Sequence, residues 1–129
     1  MIRAESRAEA HQIAFTDGAN AGVADLPAAK GGAGRGFGPH DLLEAAVATC
    51  LTMTARLYAE KHSLPLAAAR CTVRLDRADP AAVVADYDLS LDGPLTDDQA
   101  AGLRAAVARC PVAKTLAGGI AVRDAGAGR

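Results

Sequence analysis

The run from His40 to His62 constrains this chain more than any other feature. Pro39 suits the first turn of a helix, where an amide is not needed and proline's φ is already helical. From there to Ser63 and Pro65, which stop the helix, no glycine or proline intervenes. Leu43, Val47, Cys50, Thr54 and Leu57 recur at three- and four-residue steps and define one stripe. Leu42, Ala46, Thr49 and Met53 widen or flank it, so more than one face is expected to be buried. Glu44, Arg56, Glu60 and Lys61 mark the wetter side. A helix with this much to cover needs a sheet or further helices against it.

The flanking segments supply them. Short strand-like stretches around Ile2–Arg7, His11–Phe15 and Ala21–Leu26 are bounded by turn formers, notably Asp17-Gly18. A glycine-rich loop from Lys30 to Gly38 follows. It lacks the Gly-Lys-Ser/Thr ending of a phosphate-binding loop and no apolar strand precedes it, which argues against nucleotide binding. After the long helix, Cys71–Arg77 alternates with Cys71, Val73 and Leu75 on one face. Val83, Ala85, Tyr87, Leu89 and Leu91 repeat that alternation beyond an Asp79-Pro80 turn, as an antiparallel hairpin with one wet face would. Thr96-Asp-Asp-Gln99 is a capping box that starts a helix at Asp97 and runs through Leu103 and Val107 to Cys110. Pro111 interrupts it, a short turn of helix extends to Ala117, Gly118-Gly119 closes it, and Ile120–Arg123 reads as a last strand. The tail after Asp124 is expected to fray. The order βββ-α-ββ-α-(α)-β predicts a single α+β domain over residues 1–129, with the long helix against a mostly antiparallel sheet.

Composition narrows the function. The formal charge of −1, fourteen Lys and Arg against fifteen Asp and Glu, excludes the clustered basic excess of a nucleic-acid binder. No apolar run approaches the roughly 20 residues that span a bilayer. Charges in the first residues argue against a signal peptide, which predicts a cytoplasmic protein. Alanine makes up roughly a quarter of the chain and tryptophan is absent, so the core is built from small side chains. Self-association burying more surface would offset the thin margin of such a core, a hint of an obligate dimer.

Three cysteines do not suit a disulfide scaffold. With no Cys-x-x-Cys and no histidine close to a cysteine in sequence, no zinc site is expected either. Cys50, mid-helix on an apolar stripe, reads first as a small buried hydrophobe. Cys110 shifts that reading, because it ends a helix one residue before a proline, where irregular backbone can aim a side chain at a neighbour. A buried thiol beside a second thiol at a helix break resembles a peroxidatic and resolving pair. Cys71 keeps the core reading.

Gly38-Pro39-His-Asp-Leu-Leu-Glu-Ala-Ala-Val-Ala-Thr-Cys50 and the ten residues after it resemble the central helix of OsmC-like proteins, relatives of the osmotically inducible and organic hydroperoxide resistance proteins. Arg109-Cys110-Pro111-Val112-Ala113-Lys114-Thr115-Leu116 resembles their second motif. The resemblance extends to the glycine-rich loop and the element order. It implies a homodimer with intertwined sheets around two central helices, and a thiol-dependent peroxidase acting on organic hydroperoxides without metal, flavin or haem. Cys50 would attack and become a sulfenic acid, Cys110 would condense with it to a disulfide, and an external thiol would restore both. The chemistry is coherent, since the thiolate is the nucleophile and a second thiol must trap the sulfenic acid to keep oxidation reversible. An apolar setting favours alkyl hydroperoxides but raises a thiol pKa, so a nearby cation is expected.

In the family that cation is an arginine of the N-terminal hairpin held by a glutamate after the loop. Arg7 best matches the arginine, with Arg3 the alternative and a solvated strand-end charge the bland reading of both. The glutamate is the departure, for His40 stands in its place and a neutral histidine accepts a hydrogen bond without supplying negative charge. Ten residues, roughly 15 Å of helix, separate His40 from Cys50, so contact would need a partner chain or a bent-back loop. Asp41 lies about 180° around the helix from Cys50, and Glu44 reads as a face charge. His11 and His62 are expected at the surface. This departure places the chain nearer the less characterised branches of the family. Two rival readings remain: an apolar pocket that binds a small ligand or senses redox state with little turnover, and cysteines that only pack a dimer core.

Overall fold

The computed structural model describes residues 1–126. The chain divides into two compact units, Met1–Ala45 and Ala46–Arg129.

Turn chemistry organises the first unit. The Asp17 carboxylate accepts the amides of Ala19 at 2.8 Å and Asn20 at 2.6 Å, and Gly18 takes a φ of 103°, open to a residue without a Cβ. These donors, Asn20 above all, bring the Asp17 carboxyl down to about 2. The turn joins β2 (Ile13–Thr16) to β3 (Ala21–Ala24), and β1 (Arg3–Ser6) completes an antiparallel sheet in the order β1-β2-β3. Phe15 pairs with Gly22, and its ring fills the space that a side chain at Gly22 would need. β1 and β3 lie within the stretches expected, and β2 begins two residues later than expected and ends one residue beyond, at Thr16.

The glycine-rich loop is built on Asp25. That buried carboxylate accepts the amides of Leu26 at 2.8 Å and Arg35 at 3.0 Å, and the Arg35 amide is the main reason its pKa lies below the usual value. Gly32 lies against the Leu26 backbone and Gly36 against that of Val23, too close for any side chain. The glycines therefore serve close backbone approach. Gly38 then caps α1 (Pro39–Lys61): its carbonyl accepts the Leu42 amide at 3.2 Å and its amide donates to Asp41 Oδ2 at 2.8 Å. The helix begins in the first unit and continues through the second.

In the second unit the buried stripe differs from the expected one. Val47, Leu51, Ala55 and Ala59, each four residues apart, face the core, whereas Met53 is 62% and Leu57 66% exposed. The expectation followed the bulkier side chains. Close packing instead uses Ala55 and Ala59, which let neighbouring elements approach α1, with Leu51 filling the space between. Leu89, Leu103, Val107 and Cys110 complete this core.

Strands β4 (Ala68–Asp76) and β5 (Val84–Asp92) form a second antiparallel sheet, with Cys71 opposite Leu89 and Val73 opposite Tyr87. Arg70 pairs with Asp92 across it. Arg56 donates to the carbonyls of Leu66 at 3.3 Å and Ala67 at 3.2 Å, tying the exit of α1 to the start of β4. On β4 Cys71, Val73 and Leu75 alternate with exposed neighbours as expected, whereas on β5 only Leu89 and Leu91 of the expected face turn inward: Ala85 and Tyr87 are exposed, and Val83 lies before the strand.

Helix α2 (Asp97–Val107) starts where the capping box places it. Thr96 Oγ1 accepts the Gln99 amide at 3.2 Å and Gln99 Oε1 accepts the Thr96 amide at 3.0 Å. Thr96→Ala is expected to cost about 1 kcal/mol, read as a lower midpoint in thermal circular dichroism. The helix stops at Val107 instead of reaching Cys110, because the residue before a proline is pushed out of the helical region, and Cys110 has φ −50° and ψ 129°. Helix α3 (Pro111–Ala117) follows.

The architecture is mixed α+β as expected, but its strands form two separate sheets. The strand expected over Ile120–Arg123 is absent: Ile120 is 61% and Val122 94% exposed, and no strand among the described residues pairs with them. Of the tail expected to fray, residues 127–129 lie outside the described residues. Among the described residues no helix is long and apolar enough to cross a membrane.

Candidate functional site

Two helices bring Cys50 and Cys110 together. Cys50 sits in the fourth turn of α1, half-buried against the core cluster to which Cys110 belongs. Cys110 is fully buried at the residue before α3, where Pro111 forces an extended backbone and turns the side chain inward. Both are free thiols on one core, and the Cys110 thiol is placed to act as donor toward the Cys50 sulfur.

That contact makes the two sulfurs unequal. Burial pushes the Cys50 thiol up, but the Cys110 S–H, the Val112 amide and the Thr54 hydroxyl together outweigh it and leave Cys50 below the ordinary thiol value. Burial pushes Cys110 up, and its role as donor to Cys50 raises it further against the amides of Ala113 and Val112. These amides open α3, where positive partial charge favours a thiolate, although neither reaches full capping geometry on Cys110. Thr54 also bonds the Cys50 carbonyl at 2.8 Å, so its one hydroxyl proton is shared between backbone and sulfur. Of the two sulfurs, Cys50 is the one whose surroundings favour the thiolate and Cys110 the one whose surroundings favour the thiol.

A lowered thiol pKa is a thiolate held over a wider pH range. Its stabilising contribution is present above the ordinary thiol value and lost as pH falls through the folded one. Iodoacetamide labelling followed against pH is therefore expected to modify Cys50 with an inflection below the ordinary thiol range, and Cys110 above it. Cys110→Ala removes the S–H donor and should slow Cys50 labelling at neutral pH on the order of tenfold, while leaving the labelling of denatured protein unchanged.

The other expected site residues fall in the first unit. Arg7 is exposed just after β1, its amide bonded to the Gln12 carbonyl at 2.9 Å, and Arg3 begins that strand. His40 is exposed in the first turn of α1 and Glu44 is half-buried one turn on. His11 and His62 are exposed as expected, and the His62 ring lies 4.2 Å from that of Tyr58. Within the second unit the groups that favour the thiolate are hydrogen-bond donors. The sequence reading counted Thr54 only as part of the stripe and passed over the Val112 amide. A hydroxyl four residues after a candidate nucleophile in a helix was the signal available for the first. Among the described residues no group of three or more His, Cys, Asp and Glu side chains could hold a metal ion.

A family model described as OsmC-like protein matches residues 31–123. Among solved structures, an OsmC-like protein from Mycoplasma pneumoniae is similar, with a TM-score of 0.76, 20% identity and coverage of 92% of this chain and 87% of that one. An organic hydroperoxide resistance protein OsmC from Legionella pneumophila gives 0.63, 23% identity and coverage of 95% and 92%. The organic hydroperoxide resistance protein OhrB of Bacillus subtilis gives 0.62, 22% identity and coverage of 95% and 93%. No curated protein matches the chain by sequence.

Proposed function

The chain belongs to the OsmC-like family, and from that premise we propose that it is a thiol-dependent peroxidase reducing organic hydroperoxides through Cys50 and Cys110. The observation that carries this reading is the packing of Cys50 against the core that holds the buried Cys110, with the Cys50 thiol held below its ordinary value. The Cys50 thiolate attacks the terminal oxygen of the hydroperoxide, an S–O bond forms, the O–O bond breaks, and the alkoxide leaves as alcohol after taking a proton. The Cys110 thiolate then attacks the Cys50 sulfur, and the hydroxyl of the sulfenic acid departs as water. An external thiol or dithiol reduces the disulfide by two exchanges. No metal, flavin or haem enters this cycle.

Met53 and Leu57 stand exposed within two turns of Cys50, apolar surface suited both to an alkyl chain and to a second copy of the chain. A homodimer covering this surface is part of the reading. Within it Arg7 takes the role of the activating cation that the family resemblance implies, and His40 stands in the place of the family's glutamate. A cytoplasmic setting, where thiols are kept reduced, completes it; neither nucleic acid nor membrane takes part.

The test is mass spectrometry without reductant after one equivalent of tert-butyl hydroperoxide. The expected product is two hydrogen atoms lighter and yields a Cys50–Cys110 cross-linked peptide. An unmodified chain would remove the peroxidase reading and leave the apolar surface as a binding site.

A further inference from the structure

Three thiols share one cluster in the second unit. Cys71 lies on β4 directly opposite Leu89, and cross-strand partners project to the same face of a sheet. Leu89 is a buried member of the core that contains Cys110, and Cys71 packs half-buried on that same core. Its thiol proton is otherwise barely engaged, with the Thr72 carbonyl 3.9 Å away. Cys110 is the hub of the three: it is fully buried in the core against which both Cys50 and Cys71 pack.

We propose that Cys71 is a third redox thiol, which takes over the disulfide from Cys50 and so returns the attacking thiolate. This rests on the peroxidase reading of the Cys50–Cys110 pair. Once that pair is oxidised, Cys71 loses its proton and its sulfur attacks Cys110. The Cys71–Cys110 bond forms, the Cys50–Cys110 bond breaks, and Cys50 leaves with the electron pair, taking up a proton from solvent as its own titration requires. The exchange consumes no oxidant or reductant.

Its direction follows from the unequal sulfurs. Burial, with the Asp88 charge and Cys110 beside it, raises the Cys71 thiol above its ordinary value, while Cys50 lies below. In thiol–disulfide exchange the sulfur with the lower pKa is the better leaving group, and the higher-pKa sulfurs retain the disulfide. Cys50 is thereby released, and the oxidising equivalents rest on Cys71 and Cys110.

The experiment is a time course on the whole chain. Reduced protein receives one equivalent of tert-butyl hydroperoxide, is quenched with acid, alkylated, and mapped by non-reducing peptide mass spectrometry. The Cys50–Cys110 peptide is expected first, followed by Cys71–Cys110, with loss of Cys71 alkylation as Cys50 alkylation returns. In Cys71→Ser the late linkage is missing and Cys50–Cys110 persists. A Cys50–Cys110 bond that persists in the native sequence, with Cys71 fully alkylated throughout, overturns the relay and leaves the peroxidase reading intact. Cys50 untouched by hydroperoxide overturns both. A second arm needs no peroxidase activity: diamide is expected to join Cys71 to Cys110 within one Cys50→Ser chain, and the relay falls if it does not.

Discussion

Serine at position 50 is expected to bring hydroperoxide consumption, assayed with tert-butyl hydroperoxide and dithiothreitol, down to the uncatalysed background, a loss of at least about a thousandfold. The reason is chemical. A hydroxyl offers no accessible anion near neutral pH, and the donors around Cys50 that favour a thiolate cannot make an alkoxide of serine. The substitution is close to isosteric and Cys50 is only half-buried, so the thermal midpoint should move little. That contrast is the informative part. Lost turnover with an intact melt assigns the chemistry to the sulfur, whereas turnover surviving in Cys50→Ser would remove Cys50 from the reaction and the proposed cycle with it.

The largest expected loss of stability lies elsewhere. Leu103 is fully buried on α2 among Leu51, Leu89, Val107 and Cys110, in a core otherwise rich in alanine. Leu103→Ala removes much of the large apolar volume that α2 contributes and should cost roughly 2–5 kcal/mol, measured by urea unfolding. Against the roughly 5–15 kcal/mol that holds a typical domain together, this is a large fraction. It also loosens the seat of Cys110 at the end of the same segment, so labelling of the two thiols should become more alike. A loss under about 1 kcal/mol would mean that the α2 side of the core collapses around the missing side chain.

Local signals were legible wherever a few neighbouring residues decide the outcome. Thr96 and Gln99 specify the start of α2 by bonding each other's backbone, and Pro111 ends one helix and opens the next through its own ring. The turn at Asp17 is equally local. Misreadings arose where the choice depends on what comes to lie alongside. The face that α1 buries was chosen by the fit of Ala55 and Ala59, and Leu57 lost its place in the core despite being the larger apolar residue. The strand expected at Ile120–Arg123 has a strand's composition, yet a strand needs a paired edge, which nothing in the sequence of that segment supplies.

The candidate site divides along the same line. Cys50 and Cys110 could be named from two motifs about sixty residues apart, because one lies mid-helix and the other is marked by its proline. What makes them different could not. The Cys110 S–H, the Val112 amide and the Thr54 hydroxyl converge on one sulfur only after α1 and α3 pack on a common core, and that convergence outweighs burial at Cys50. Most of the elements, the start of α2 and the family with its candidate thiols were legible in the sequence itself, since caps, prolines and periodicity act over a few residues. Why the two sulfurs differ, and that a third thiol packs on the same core, was decided by tertiary structure, because burial and the donors around a sulfur belong to the residues that surround it in space.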